Sequence, residues 1–376
     1  MLFGQLAFVM SSCLFMFANC VAGLSDNGEH KSLHEAISKG DRGQMTISRA
    51  VHSSVLLPDG RVFITGGFSD GQRGLSESEV FDPRTNSFSS VGKMNARRAS
   101  HTATLLRDGR VLIAGGYDGD YLDSAEIFDP KTGKFTAAGR MTMPRSGHTA
   151  VLLENGKVLL AGGVGRGWTF LPDAELYDPQ KNVFESTGSM AFARESHTAS
   201  LMSDGKVLIT GGHRGRRSAI TIYSSTEVYD PSTGSFSQTG EMTIRRHKHD
   251  AVPLQDGKVL IIGGSDERDS EGTYTSVEAY DPKSGSFRKV GDMKLSRYKL
   301  QGASVLLSNG KVLIAGGAAR AEIFDPASGE AELFGDPFAS AAFFATATLL
   351  RDGRVLLLGG YDERIRASSA AHILEP

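Results

Sequence analysis

Cysteine is almost missing from this chain: of 376 residues only Cys13 and Cys20 carry a thiol, and both lie in the opening segment. A product cleaved after residue 23 would hold none, which excludes disulfide stapling and thiol chemistry from its function. An excess of either charge is missing too. A formal net charge of −2 supplies no basic footprint for nucleic acid and no general attraction to an anionic membrane. Any charged partner must therefore be recognised locally.

The opening run from Leu2 to Gly23, LFGQLAFVMSSCLFMFANCVAG, has no charged side chain and closes on the small residues Val21-Ala22-Gly23. Residues 1–23 read as a signal peptide, which implies a secreted or periplasmic protein. The absence of Lys or Arg before the apolar run leaves two alternatives. One is an uncleaved N-terminal anchor, since a spanning helix needs about 20 apolar residues. The other is lipidation at Cys20.

Glycine, in contrast, is abundant, with 45 residues in a chain that is 40% hydrophobic, enough for a large core and too apolar for disorder. A Gly-Gly pair begins at Gly66, Gly115, Gly162, Gly211, Gly263, Gly316 and Gly359, at intervals of 43 to 53 residues. Each is preceded by an Asp-Gly or Asn-Gly dipeptide, such as Asp108-Gly109, whose glycine stands six residues before the pair. That dipeptide between apolar runs predicts a hairpin, because a tight primed turn needs positive φ. The strand leading into Gly-Gly, as in RVLIAGG, is apolar at consecutive positions and so is covered on both faces. A third strand ends in motifs such as SEVFDP and AEIFDP, where proline halts the ladder. A fourth begins at Phe88, Phe135, Phe184, Phe236 or Phe287.

A sequential four-stranded unit cannot bury both faces alone, and radial packing of copies solves this. The fold class is therefore all-β, a seven-bladed β-propeller. The last repeat ends after its third strand, while GQM at Gly43–Met45 matches the end of a fourth. Residues 24–44 are thus expected to supply the outer strand of the last blade and close the ring, and 45–376 form the propeller. Ser32–Glu35 also fits a helix capping box.

The Gly-Gly end of strand two, the aromatic-Asp end of strand three and the aromatic of strand four together resemble the kelch repeat over residues 45–376. Phe stands where that family usually has Trp in strand four, and the Trp-Asp signature of another common propeller repeat is absent. Related galactose-oxidase-like enzymes use a copper site with a tyrosine cross-linked to cysteine. No cysteine follows residue 20, so the resemblance does not extend to that cofactor, and none is expected.

Strand direction puts the segments before strand one and after Gly-Gly on one face, where the loops vary most; variable loops on a rigid scaffold commonly carry binding. Arg-x-x-His recurs there at Arg49, Arg98, Arg145, Arg194 and Arg246, and Arg297 continues the arginines without a histidine. Two readings stand: a ring of ligand contacts, as the kelch resemblance implies for acidic ligands, or structural pairing with the repeated Glu79, Glu126, Glu175, Glu227, Glu278 and Glu322. The repeated histidines read as scaffold, spread too far apart to share a metal. Residues that break the repeat are further candidates: Tyr117, Tyr121, Arg166, Trp168, Arg214, Arg216, Tyr274 and Tyr361. Aromatics beside arginines suit a protein or glycan ligand with acidic groups. The expected function is thus a monomeric binding module. The alternative is an enzyme resembling a kelch-type sialic acid epimerase, working with Arg and Glu at the channel mouth.

Overall fold

The computed structural model describes residues 43–70, 73–266 and 272–376. The proposed signal peptide and most of the 24–44 segment lie outside the described residues.

Seven sheets follow one another along the chain, each pairing its strands in sequence order, antiparallel throughout. In blade 1 these are Ser53–Leu56, Val62–Thr65, Leu75–Asp82 and Ser87–Arg98. The first strands lie innermost, each touching the next around the ring, with Thr346–Leu349 of blade 7 against Ser53–Leu56 of blade 1. The second strands are wholly buried, as their continuous apolar sequence predicts. The core lies between blades: Val55, Phe63 and Val80 of blade 1 pack on Val111, Ile113 and Phe128 of blade 2. Within a blade, the third-strand aromatic sits opposite the fourth-strand phenylalanine, as in Phe81–Phe88 at 5.0 Å and Tyr177–Phe184 at 4.8 Å.

Blade 7 contributes Thr346–Leu349, Val355–Leu358 and Ala371–Leu374 from the C-terminal end. Gln44 bridges Ala370 antiparallel, and the Met45 and Arg49 amides donate to the Ser369 and Ser368 carbonyls. The two ends of the described chain thus meet in one blade, as the repeat arithmetic predicts. Met45, 3% exposed, fills the place taken by Met94, Met141 and Met190 at the ends of earlier blades.

The Gly-Gly pair is an inter-blade contact. At Gly115 (φ +64) and Gly116 (φ +101) the chain takes left-handed conformations. A Cβ on Gly115 would lie 2.5 Å from the Arg145 carbonyl of the next blade, and the Gly116 amide donates to that same carbonyl at 2.9 Å. Only glycine meets both demands cheaply.

Candidate functional site at the channel mouth

The six repeated arginines are fully enclosed, and this corrects their reading as ligand contacts. Arg49, Arg98, Arg145, Arg194, Arg246 and Arg297 are all 0% exposed. Each meets its glutamate at 2.5 to 3.0 Å: Glu79, Glu126, Glu175, Glu227, Glu278 and Glu322. Arg145 also donates to the Gly162 carbonyl at 2.8 Å and the Asp173 carbonyl at 3.0 Å. The other Glu175 oxygen accepts the Thr142 amide at 2.8 Å. Guanidinium, carboxylate and Gly-Gly carbonyl thus fasten the incoming connection to its blade, leaving few donors for a ligand.

The repeated histidines are scaffold as well. Nε2 of His148, His197 and His249 pairs with Thr102, Thr149 and Thr198 of the preceding blade at 3.1 Å, and His52 with Thr346 at 3.0 Å. Burial and the neighbouring arginines hold all of them neutral: His101 and His197 are lowered to about 3, and His52, His148 and His249 fall well below the usual value.

At the two positions that lie between Arg and His in blades 1 to 5, and at their equivalents in blades 6 and 7, stand residues that the repeat leaves variable, and they build the mouth. The second has positive φ in every blade: Val51, Ser100, Gly147, Ser196, Lys248, Lys299 and Phe344. Their backbones form a collar. Ser100 donates to Val51, Gly147 to Ser100, Lys248 to Ser196, Lys299 to Lys248, Phe344 to Lys299 and Val51 to Phe344, at 2.7 to 3.2 Å. Among the described residues the circuit is open at one step, from Ser196 to Gly147.

A cavity of about 680 Å³ opens inside this collar. Its wall from blades 4 and 5 is polar, with Glu195, His213, Arg216, His247, Lys248 and Asp250; across the ring stand Val51, Phe344 and Ala345. Glu195 and His213 exchange both backbone hydrogen bonds at 2.9 Å, which puts their side chains on one face. His213 Nε2 lies 3.9 Å from Glu195 Oε2, and its Nδ1 is 3.1 Å from Nδ1 of His247. Burial pushes Glu195 up to about 7, against the pull of Lys248 and Arg216. Asp250, also buried, rises to about 6 although it accepts the Gly302 and Ala303 amides at 3.1 Å.

Of the site residues expected from sequence, only Arg216 lines this cavity. Its guanidinium stacks on the Trp168 ring, Trp168 meets Tyr121 edge-on at 5.9 Å, and Tyr121 meets Tyr117 at 5.3 Å. These aromatics lock the loops of blades 2, 3 and 4 together. The two later loops carry hairpins of their own, Val164–Gly165 with Thr169–Phe170 and His213–Arg214 with Thr221–Ile222. Arg166 pairs with Asp120 at 3.1 Å on the exposed surface, and Arg214 is exposed. Tyr274 lies 5.5 Å from the Arg246 guanidinium, and Tyr361 is buried, bridged to Phe343 and Ala367. The sequence marks the charged stretch RRHKHD at Arg245–Asp250, which holds His247, Lys248 and Asp250, and the loop that opens at His213, but it does not single these side chains out, and Glu195 went unnoticed. The signal was available: at the place of Glu195 and His247, blades 1 to 3 have Ala50, Ala99 and Ser146.

Comparison with known families agrees with this architecture. The KLHDC2/KLHL20/DRC7 Kelch-repeats domain matches residues 134–317, and the Kelch motif matches 49–95 and 98–142. The chain belongs to the kelch-repeat propeller family. No curated protein matches. Among solved structures, a fungal alcohol oxidase of the AA5 family in complex with copper superposes with a TM-score of 0.70 at 17% identity, over 89% of this chain and 75% of that one. At that identity the likeness is one of fold. Among the described residues no three His, Cys, Asp or Glu gather as the ligands of a metal ion would.

Proposed function

We propose that this kelch propeller is a binding module whose ligand, a protein or glycan segment bearing an acidic group, seats in the cavity at the channel mouth. Kelch propellers are commonly protein-interaction modules. The observation that carries the reading is the cavity itself. It falls within the range of small-ligand pockets, and among the residues that line it are several that depart from the repeat, with Lys248 and Arg216 on its polar wall. The charge-free stretch at Leu2–Gly23 supports export, and we propose that the protein acts outside the cytoplasm as a monomer.

A peptide and glycan screen on the chain from residue 24 onward tests this. Lys248→Ala should weaken any hit at least tenfold, and Trp168→Ala should weaken it less, by releasing Arg216. Arg214→Ala, on the exposed loop, should leave it unchanged. Equal binding by the Lys248 variant would remove the cavity from the account.

An epimerase-like enzyme remains the second reading, favoured by Glu195 with its raised pKa beside Arg216. The six arginines first offered for that role are spent inside the blades. Interconversion of sialic acid anomers or epimers, followed by NMR, decides it.

A further inference from the structure

Where the backbone collar is open, a side chain takes the space. A Cβ on Gly147 would lie 2.7 Å from Glu195 Oε1, so glycine at that position leaves room for the carboxyl group. Glu195 is 17% exposed and lines the cavity. The contact between His213 and His247 at 3.1 Å requires a proton on one of the two Nδ1 atoms, which leaves Nε2 of His213 facing Glu195. A carboxyl group and two imidazoles therefore stand in line on the cavity wall, the imidazoles within hydrogen-bond distance of each other and the carboxyl group 3.9 Å from the nearer one.

Other charged and titratable groups face this line from each neighbouring element. Lys248 and Arg216 act on Glu195 from blades 5 and 4. The Tyr121 phenol lies near it and is raised by burial and by that carboxylate. Asp250 lines the same wall and is raised by burial. The repeated histidines that line the cavity, His52, His101, His148 and His197, are held neutral.

We propose that this cluster is a proton-coupled anion site: a ligand carboxylate seats on the Lys248 and Arg216 side of the cavity, and binding takes up one proton from solvent at the Glu195–His213–His247 line. The physical reason is charge crowding. Two carboxylates within about 4–6 Å cannot both stay ionised cheaply, so the resident group binds a proton as the incoming one arrives. The proton returns to solvent when the ligand leaves. With Glu195 at about 7 in the free protein, the linkage falls in the physiological range.

This inference rests on the cavity being the ligand site, and its test separates the two. Calorimetric titration of the protein with acetate, with D-glucuronate and with a short peptide ending in a free carboxylate, each beside its neutral amide, is run at pH 6, 7 and 8. Two buffers of different ionisation enthalpy at each pH report protons directly. The expected result is uptake approaching one proton per bound carboxylate at pH 8, with affinity falling by up to about tenfold per pH unit above 7. The amides should show no uptake. Glu195→Gln, nearly isosteric, should bind with a flat pH profile and no uptake. Carboxylate binding with pH-independent affinity and no proton uptake overturns the inference and leaves the binding reading intact. If no probe binds at any pH, the cavity reading falls, and this inference with it. The wild-type buffer comparison needs no variant, so a misfolded Glu195→Gln would not blunt the test.

Discussion

A guanidinium with no exposed surface keeps its charge in place only while a carboxylate and carbonyls meet it. Arg145→Ala would leave Glu175 buried and uncompensated, and should cost about 3–5 kcal/mol by urea denaturation, whereas the double exchange R145M/E175M should recover most of that. Equal losses in the single and double variants would show that volume, not charge, is at stake. From sequence both readings of these arginines share one periodicity, because a ring of ligand contacts and a ring of structural keys repeat alike; what separates them is the direction of the side chain. The residues that do form the mouth were legible in another way. Glu195 and His247 occupy a position inside a repeated motif where earlier blades carry alanine or serine, so the informative variation lay within the repeat as well as in the loops outside it.

At the scale of the element, the hairpins and the Gly-Gly stops could be read directly, since an Asp-Gly turn and a continuous apolar run each have one simple physical cause. The two-residue hairpins at Val164–Gly165 and His213–Arg214 could not, because so short a pairing has no periodicity. Nor could the stacking of Arg216 on Trp168, which joins two loops 48 residues apart in sequence. The closing contact at Gln44 and Met45 was legible through the Gly-x-Met ending alone. Met45→Ala should therefore cost about 2–5 kcal/mol, the usual range for a buried methionine, while Met143→Ala at a 39% exposed site should cost little. Chemical denaturation of the two variants compares them; a loss at Met45 no larger than at Met143 would mean that the closure contributes little to stability.

For the whole molecule, five histidines held neutral in the folded state set its response to acid: His52, His101, His148, His197 and His249. Each folded pKa lies below the ordinary value near 6.5, so the unfolded chain binds more protons in that window. The stability they confer is complete above about pH 6.5 and is lost as the pH falls toward 3. Glu195 and Asp250, raised to about 7 and about 6, act in the opposite direction: their protonated forms add stability at low pH that is lost as the pH rises through those values. The histidines outnumber them, and a steep loss of melting temperature below pH 6 is expected. His148→Leu should make that loss shallower, since blade 6 already carries Leu300 at the equivalent place; an unchanged slope would remove His148 from the account. The shared seventh blade has a mechanical consequence as well. The segment through Gln44 and the strand Ala371–Leu374 run antiparallel, so a pull on Gly43 and on Pro376 acts at one end of that pairing. Tension applied between those residues would load their connecting hydrogen bonds one at a time, as in a zipper. Under such a pull the ring would open at that seam first, where the Met45 and Arg49 amides meet the Ser369 and Ser368 carbonyls.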